Sequence, residues 1–281
     1  MSESITELLH SAAEQLAASS PTALLDAEVL LCHCLNKNRS FLRTWPEKQL
    51  SAEQRDKFRS LISQRENGVP VAYLTAQREF WSRNFKVSPE VLIPRPDSEL
   101  LIELCLERLA DKHNAKIIDL GTGSGILAIT LAAERQLAEV TATDISPKAL
   151  AIAKQNAENL GVKVRFIHSH WLDDVLDQDF DIIISNPPYI AAHDPHLQQG
   201  DVRFEPDCAL ISAENGLKDI QLIVEQSRQH LRNSGLLLIE HGYNQQNAVQ
   251  AIFKACKYQD ISTHPDLSGN PRVTLGLWNP L

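Results

Sequence analysis

No apolar run in these 281 residues approaches the length of a membrane span. The N-terminus, Met1 to Ala18, is polar and amphipathic and lacks the apolar core and cleavage site of a signal peptide, which implies a cytoplasmic protein. The five cysteines (Cys32, Cys34, Cys105, Cys208, Cys256) are odd in number and show neither a CxxC pair nor zinc-ligand spacing. They read as reduced structural thiols, with no metal site and no disulfide framework. A basic excess is also missing. Residues 1–95 carry 12 Lys and Arg against 11 Asp and Glu, whereas residues 96–281 carry 15 against 25. A protein that grips a nucleic-acid backbone needs a basic footprint, and the larger half lacks one. There are no internal repeats and no low-complexity segments. What is left, 43% hydrophobic and 22% charged, is the composition of a globular protein of one large or two medium domains.

The first ~75 residues carry a helical period. Ile5, Leu8, Leu9, Ala12, Ala13 and Leu16 recur at helical spacing. A second helix is predicted to begin with Ser20 as N-cap and Pro21 in its first position, running through Leu24, Leu25, Val29, Leu30 and Leu31. Ser51 and Gln54 form a capping box for a third, which carries Phe58, Leu61 and Ile62 inward. Its charges, Arg55, Lys57, Arg59 and Arg65, are either a solvated face or a partner-docking face. His33 and Cys34 are read as packing residues. Residues 77–95 change character: Phe80, Trp81, Phe85 and Val87 around Ser82-Arg83-Asn84 predict a short hairpin. A proline-stiffened connector, Leu92 to Glu99, follows, with Asp97 as cap of the next helix. From residue 115, strands at 115–120, 138–143, 163–167, 180–185 and 235–240 alternate with helices at 124–135, 147–159 and 218–231. After residue 243 come a further helix, a weak strand near 257–262 and a last strand near 272–278. Such alternation implies a doubly wound α/β sheet. The domains are thus a helical one at 1–75, a hairpin and connector at 76–96, and the sheet domain at 97–281.

Two stretches carry chemistry. Ile117-Ile118-Asp119-Leu120-Gly121-Thr122-Gly123-Ser124-Gly125 is a strand entering a glycine-rich turn and then a helix. The spacing G-x-G-x-G is not the dinucleotide fingerprint, and no Lys follows to make a P-loop. Asp144 ends the next strand, where an acid can hold two ribose hydroxyls. Together these point to a nucleoside-containing cofactor. The second stretch is Ser185-Asn186-Pro187-Pro188-Tyr189, directly after Asp181-Ile182-Ile183-Ile184. The isoleucine run reads as a strand buried on both faces. Neither proline has an N–H, so the strand ends in a stiff ledge of acceptors, the Asn186 side chain and the Pro187 carbonyl, followed by an aromatic ring. One reading is a Pro-rich turn with Tyr189 as a surface anchor. The other is a site that holds a planar NH2 group by both N–H bonds, with Tyr189 stacked on it, and aims its lone pair at an electrophile.

The glycine turn with Asp144 resembles the cofactor site of Rossmann-like S-adenosyl-L-methionine-dependent methyltransferases. Asn186-Pro187-Pro188-Tyr189 resembles the amino-methyltransferase signature shared by N6-adenine and protein-glutamine enzymes. The helical N-terminal domain, Arg78-Glu79-Phe80-Trp81, Ile93-Pro94-Arg95-Pro96-Asp97-Ser98-Glu99, Arg203-Phe204-Glu205-Pro206, Ala209-Leu210 and Asn215-Gly216-Leu217 resemble the peptide chain release factor glutamine methyltransferase family over nearly the whole chain. The resemblance implies a Rossmann-like methyltransferase sheet with a small N-terminal helical bundle that recognises substrate. It also implies N5-methylation of the glutamine in the Gly-Gly-Gln loop of class 1 release factors, with S-adenosyl-L-homocysteine as product and neither metal, membrane nor nucleic acid involved, in a monomer. The alternatives are glutamine methylation of a large-subunit ribosomal protein, adenine-N6 methylation of nucleic acid, and a non-catalytic cofactor-binding partner of the translation machinery. By the same resemblance Gly121, Thr122, Gly123, Ser124, Gly125, Asp144, Trp171 and Asn186 hold the cofactor, with Trp171 beside the adenine. Asn186 and Pro187 are catalytic, and Pro188, Tyr189, Phe80, Arg95 and Glu205 join them in binding substrate. Two positions depart from the family: His170 replaces an Asp before Trp171, which puts a carboxylate contact to the adenine in question, and Ser98 replaces a Thr.

Overall fold

The structure, a computed structural model, describes residues 3–280. The chain divides into two compact units: one reaches Gln77 and takes in Gln198–Phe204, and the other holds Arg78–Leu197 and resumes at Glu205.

The first unit contains α1 (Ile5–Leu16), α2 (Ala23–Leu35), α3 (Arg39–Thr44), α4 (Ala52–Glu66) and α5 (Val71–Thr75). Capping boxes start two of them, Ser4 with Glu7 on α1 and Ser51 with Gln54 on α4, each satisfying N–H groups that a helix end leaves open. Ile5, Leu8, Leu16, Leu30, Leu31, Phe58 and Ile62 build its core. Helix α2 begins at Ala23, later than Ser20 and Pro21 predict. The reason is Asp26, which is buried and draws in both nearby hydroxyls: Ser20 donates to it at 2.8 Å and Thr22 at 3.0 Å. Its third donor is Arg65 Nε at 2.6 Å. Arg65 therefore departs from its neighbours on α4. It is buried, and its second nitrogen reaches Asp201 at 2.9 Å and the Val69 carbonyl at 3.3 Å. A guanidinium leaves water only when well partnered, and these three oxygens supply much of that. Cys34 packs against the core as expected, but His33 lies exposed.

The division falls at the start of a hairpin, β1 (Gln77–Phe80) and β2 (Arg83–Lys86). Its tip is Trp81-Ser82, both left-handed (φ 51° and 56°), one residue earlier than the sequence suggests. Acceptors rather than glycines hold this turn: Glu99 takes the Trp81 N–H at 2.9 Å and Glu79 the Ser82 N–H at 2.6 Å. A 3-10 turn, Pro96–Ser98, then leads into α6 (Glu99–Arg108). Asp97 does not cap that helix; its carboxylate lies 3.8 Å from Arg272 instead.

The remaining elements are β3 (Lys116–Leu120), α7 (Ile126–Glu134), β4 (Glu139–Asp144), α8 (Pro147–Leu160), β5 (Arg165–His168), β6 (Phe180–Ser185), the short turns α9 (Asp207–Leu210) and α10 (Ala213–Gly216), α11 (Lys218–Ser227), β7 (Leu231–Glu240), α12 (Gln246–Ala255), β8 (Gln259–Pro265) and β9 (Pro271–Trp278). Seven strands form one sheet in the order β5-β4-β3-β6-β7-β9-β8. β5 through β7 are parallel and β9 runs antiparallel to both neighbours. Every residue of β6 is buried. Ile182 and Ile184 enter one core layer and Ile183 the other, which is why the strand reads as an unbroken apolar run. Strand β7 begins at Leu231, where the helical period had seemed to continue, so α11 stops at Ser227. Phe80 and Phe85 join the same layer as α6 and α7, so the hairpin shares the sheet's core. No described helix is long and apolar enough to cross a membrane.

Removing Asp26 would leave the Arg65 charge buried with one carboxylate fewer. Asp26→Ala is expected to destabilise the helical unit by about 3–5 kcal/mol. Loss of amide hydrogen-exchange protection confined to α1, α2 and α4 is the measurement that checks it.

Candidate active site

The chain leaves β3 for β4 on one side, and β6 later returns to β3's other side. That reversal makes the carboxyl ends of β3 and β6 the topological switch point of the sheet, the crevice where open α/β sheets bind ligands. Leu120 and Ser185 face each other in register there, and Ser185 Oγ donates to the Leu120 carbonyl at 2.7 Å. The residues that follow, Gly121 on one strand and Asn186 on the other, are thereby brought side by side. A cavity of about 310 Å³ opens at this point. That lies at the small end of the range for ligand sites.

The glycine turn forms one wall. Gly121 and Thr122 donate their N–H groups to the Thr143 carbonyl at 2.9 Å each, fixing the turn to β4. Gly121 has φ +72°, and a Cβ there would come within 2.9 Å of the Trp171 ring, so only glycine admits this approach. Gly121, Thr122, Gly123 and Ser124 line the cavity; Gly125 does not. A Cβ on Gly125 would lie 3.1 Å from Ala153 Cβ, so this glycine serves the packing of α7 against α8. Asp144, at the end of β4, has one oxygen accepting from Gly123 N–H and the other from Ser146 N–H, both at 2.8 Å. Burial raises its carboxyl above the ordinary value, and the two N–H groups pull it back. Each oxygen keeps a lone pair, which suits a diol. Trp171 is buried and left-handed (φ 52°), and its Nε1–H is directed at Asp219 at 3.3 Å. His170 lies beside it in the cavity wall, with Nδ1 3.3 Å from Asp173.

Asn186 and Pro188 also line the cavity. Asn186 Nδ2 donates to Ser98 Oγ at 2.9 Å, and Ser98 donates in turn to Glu240 at 2.7 Å. Asn186 Oδ1 receives no hydrogen bond from any described residue, and neither does the Pro187 carbonyl, although Pro187 itself is buried and is outside the cavity wall. Tyr189 departs from its expected role as a stacking platform. Its ring packs into the second core layer, its hydroxyl donates to Glu240 at 3.3 Å, and burial pushes the phenol up. Phe80 is likewise a core residue, set edge-on to Phe85 with 6.3 Å between ring centres, and is outside the cavity wall. Arg95 does line the cavity. Glu205 does not; its side chain is buried, ion-paired to Arg95, with its other oxygen accepting the Ile93 N–H at 3.2 Å. Glu205 is thus a brace for Arg95. Further wall comes from Glu90, Val91, Leu92 and Pro94, which had read only as hairpin and connector, and from apolar residues such as Leu127, Ile145 and Ile211.

Three acids went unremarked in the sequence. Asp119 accepts from Thr122 Oγ1 at 2.6 Å and from Ala128 N–H at 3.3 Å, clamping the glycine turn, while its other oxygen is buried without a partner. Burial pushes it up to about 7. Its signal was an acid inside an otherwise apolar strand, Ile117-Ile118-Asp119-Leu120. Glu240 ends the Leu236-Leu237-Leu238-Ile239 run in the same way. Asp219 has no local signal, because its partner Trp171 is 48 residues away. No described cluster of His, Cys, Asp or Glu is arranged to hold a metal ion.

The switch-point crevice, the carboxylate poised for a diol, the glycine turn and the indole together fit a nucleoside with an extended tail. The fold and site define a Rossmann-like S-adenosyl-L-methionine-dependent methyltransferase. Residues 7–75 match the family described as PrmC N-terminal domain and residues 98–201 the one described as methyltransferase small domain. The chain is 48% identical to the release factor glutamine methyltransferase of Shewanella oneidensis, covering 98% of this chain and 96% of that protein. It is 47% identical to that of Escherichia coli, covering 95% and 96%. Among solved structures, a methyltransferase from Pyrococcus furiosus superposes with a TM-score of 0.54 at 16% identity, over 79% of this chain and 98% of that one, which shows the shared fold. The chain belongs to the release factor glutamine methyltransferase family.

Asp144→Ala would remove both diol acceptors and strand two N–H groups of the turn. Hydrogen bonds to a charged group contribute about 1.5–3 kcal/mol, so cofactor affinity is expected to fall roughly 10–100-fold. Calorimetric titration with S-adenosyl-L-homocysteine measures it; an unchanged affinity would remove Asp144 from the site.

Proposed function

We propose that this chain methylates N5 of the glutamine in the Gly-Gly-Gln motif of class 1 peptide chain release factors. The observation that carries the reading is Asn186 Oδ1, an acceptor in the cavity wall without a protein donor, on an amide whose other end is held by Ser98. An amide nitrogen is a poor nucleophile because its lone pair is delocalised into the carbonyl, the resonance that also flattens the peptide bond. In this mechanism one N–H of the substrate glutamine is donated to Asn186 Oδ1 and the other to the Pro187 carbonyl. Both bonds favour a pyramidal nitrogen whose lone pair points across the cavity. Pro187 and Pro188 lack N–H groups, so nothing in that dipeptide competes for the amide.

S-adenosyl-L-methionine, when bound, supplies an electrophilic methyl group on a sulfonium sulfur and leaves as S-adenosyl-L-homocysteine. Gly121 to Ser124, Asp144 and Trp171 would hold it. Neither acceptor is basic, so the proton displaced from the methylated nitrogen passes to water. The chain's contribution is orientation and fixed dipoles. Arg95, braced by Glu205, is assigned to the substrate backbone near the glutamine. Pro188 is assigned to its side chain.

We assign recognition of the whole factor to the helical unit, through the exposed Lys57 and Arg59 on α4 with Arg55 beside them. All five cysteines are free thiols, in keeping with a reducing compartment, and the cytoplasm is the proposed place of action.

Asn186→Ala should lower kcat about 10²-fold or more, by analogy with removal of one fixed dipole elsewhere. Transfer of labelled methyl to release factor, to its Gln→Ala variant, to large-subunit ribosomal protein and to DNA separates the substrates. Labelling of the Gln→Ala factor, or of DNA alone, would refute the reading. Charge reversal at Lys57 and Arg59 should raise KM for the intact factor and leave KM for a Gly-Gly-Gln peptide unchanged; equal effects would refute the docking assignment.

A further inference from the structure

We propose that Glu240, acting through the Ser98 hydroxyl, determines which end of the Asn186 amide faces the cavity, so that Glu240 and Ser98 are positioning residues for the methyl acceptor. The inference deepens the proposed function and rests on it, since it takes Asn186 Oδ1 to be the substrate's acceptor.

An asparagine side chain has an oxygen that accepts and a nitrogen that donates, nearly equal in size, so packing alone does not choose between its two orientations. Hydrogen counting does. Glu240 is at the end of β7, on the strand next to β6, and is 1% exposed. Its Oε2 is 2.7 Å from Ser98 Oγ, and an ionised carboxylate can only accept. Ser98 has one hydrogen, and that hydrogen is committed to Glu240. What Ser98 then shows to Asn186, 2.9 Å away, is a lone pair, so Asn186 must turn its NH2 inward and its oxygen outward. The other carboxylate oxygen accepts from the Tyr189 hydroxyl at 3.3 Å. One buried carboxylate therefore grips both ends of the Asn186–Tyr189 segment.

Two charged groups and two hydroxyls face Glu240. Arg272 on β9 favours its ionised form, Asp97 in the turn before α6 opposes it, and the hydroxyls of Ser98 and Tyr189 favour it. Arg272 is itself held by Asp266 at 3.1 Å, and Arg95 acts on Tyr189. Burial outweighs these and pushes Glu240 up to about 7. Below that pH the carboxyl gains a proton and donates it to Ser98 Oγ. The Ser98 hydrogen then swings to Asn186, the amide turns over to offer Oδ1 inward, and the cavity is shown an NH2 that repels the substrate's own. The acceptor is present above about pH 7 and lost as the pH falls through it.

The test is steady-state kinetics with full-length enzyme and release factor from pH 6 to 9, with cofactor affinity measured separately by calorimetry. Ser98→Ala is expected to lower kcat about tenfold or more, since small misorientations of a reacting pair are costly, with cofactor affinity unchanged. Ser98→Thr, which keeps the hydroxyl, restores most of it. Wild-type kcat falls on the acid side of about pH 7, and Glu240→Gln, which cannot titrate, removes that limb. If Asn186→Ala is impaired but Ser98→Ala keeps wild-type kcat, or Glu240→Gln keeps the wild-type acid limb, this inference is overturned and the reading of the site stands. If Asn186→Ala is itself unimpaired, both fall. Should Ser98→Ala not fold, the pH profile of the near-isosteric Glu240→Gln decides alone.

Discussion

The pairing of β3 with β6, closed at its carboxyl end by the Ser185 hydroxyl on the Leu120 carbonyl, is the constraint on which the site depends. It brings a glycine turn built for close approach next to a dipeptide that has only acceptors to offer. Neither half is a site alone. The turn without the ledge binds a nucleoside, and the ledge without the turn holds an NH2 group with nothing to react with it. Placing both at one switch point lets a ligand lying over β3 and another arriving at β6 meet with little protein motion.

Buried charge in this chain is concentrated where orientation matters. Asp119 clamps the glycine turn through Thr122 and Ala128, Asp144 holds the same turn through Gly123, and Glu240 ties Ser98 and Tyr189. Each offsets part of its desolvation with hydrogen bonds to a turn or loop, which stiffens the segment it touches. In the helical unit, Asp26 does the same for Arg65, and that arginine binds Asp201 from a segment more than a hundred residues away. Carboxylates thus do for these loops what backbone ladders do for strands.

Much of the fold was legible because its signals are local. The isoleucine run of β6, the Ser51–Gln54 box and the glycine turn depend on residues within a few positions of one another. The misreadings arise where a side-chain or packing contact overrides the local pattern. Ser20 and Thr22 are drawn to Asp26, so α2 starts late. Asp97 stands across from Arg272, so it caps nothing. Trp81-Ser82 adopt a left-handed turn that two glutamates hold. Tyr189 read as a stacking platform and Phe80 was placed at the substrate by resemblance, yet both rings turn inward to the core layers.

By itself the sequence determined the class of chemistry: which strand ends carry glycines, which carries an acid for a diol, and which stops at two residues without N–H groups. These are covalent properties of residue types, and no packing can alter them. Direction was decided by the tertiary structure alone. Whether Asn186 shows oxygen or nitrogen to the cavity depends on a hydroxyl 88 residues before it and a carboxylate 142 residues beyond that hydroxyl. A hydrogen bond has a donor end and an acceptor end, and only the assembled chain, with Glu240 buried beside Ser98, settles which is which.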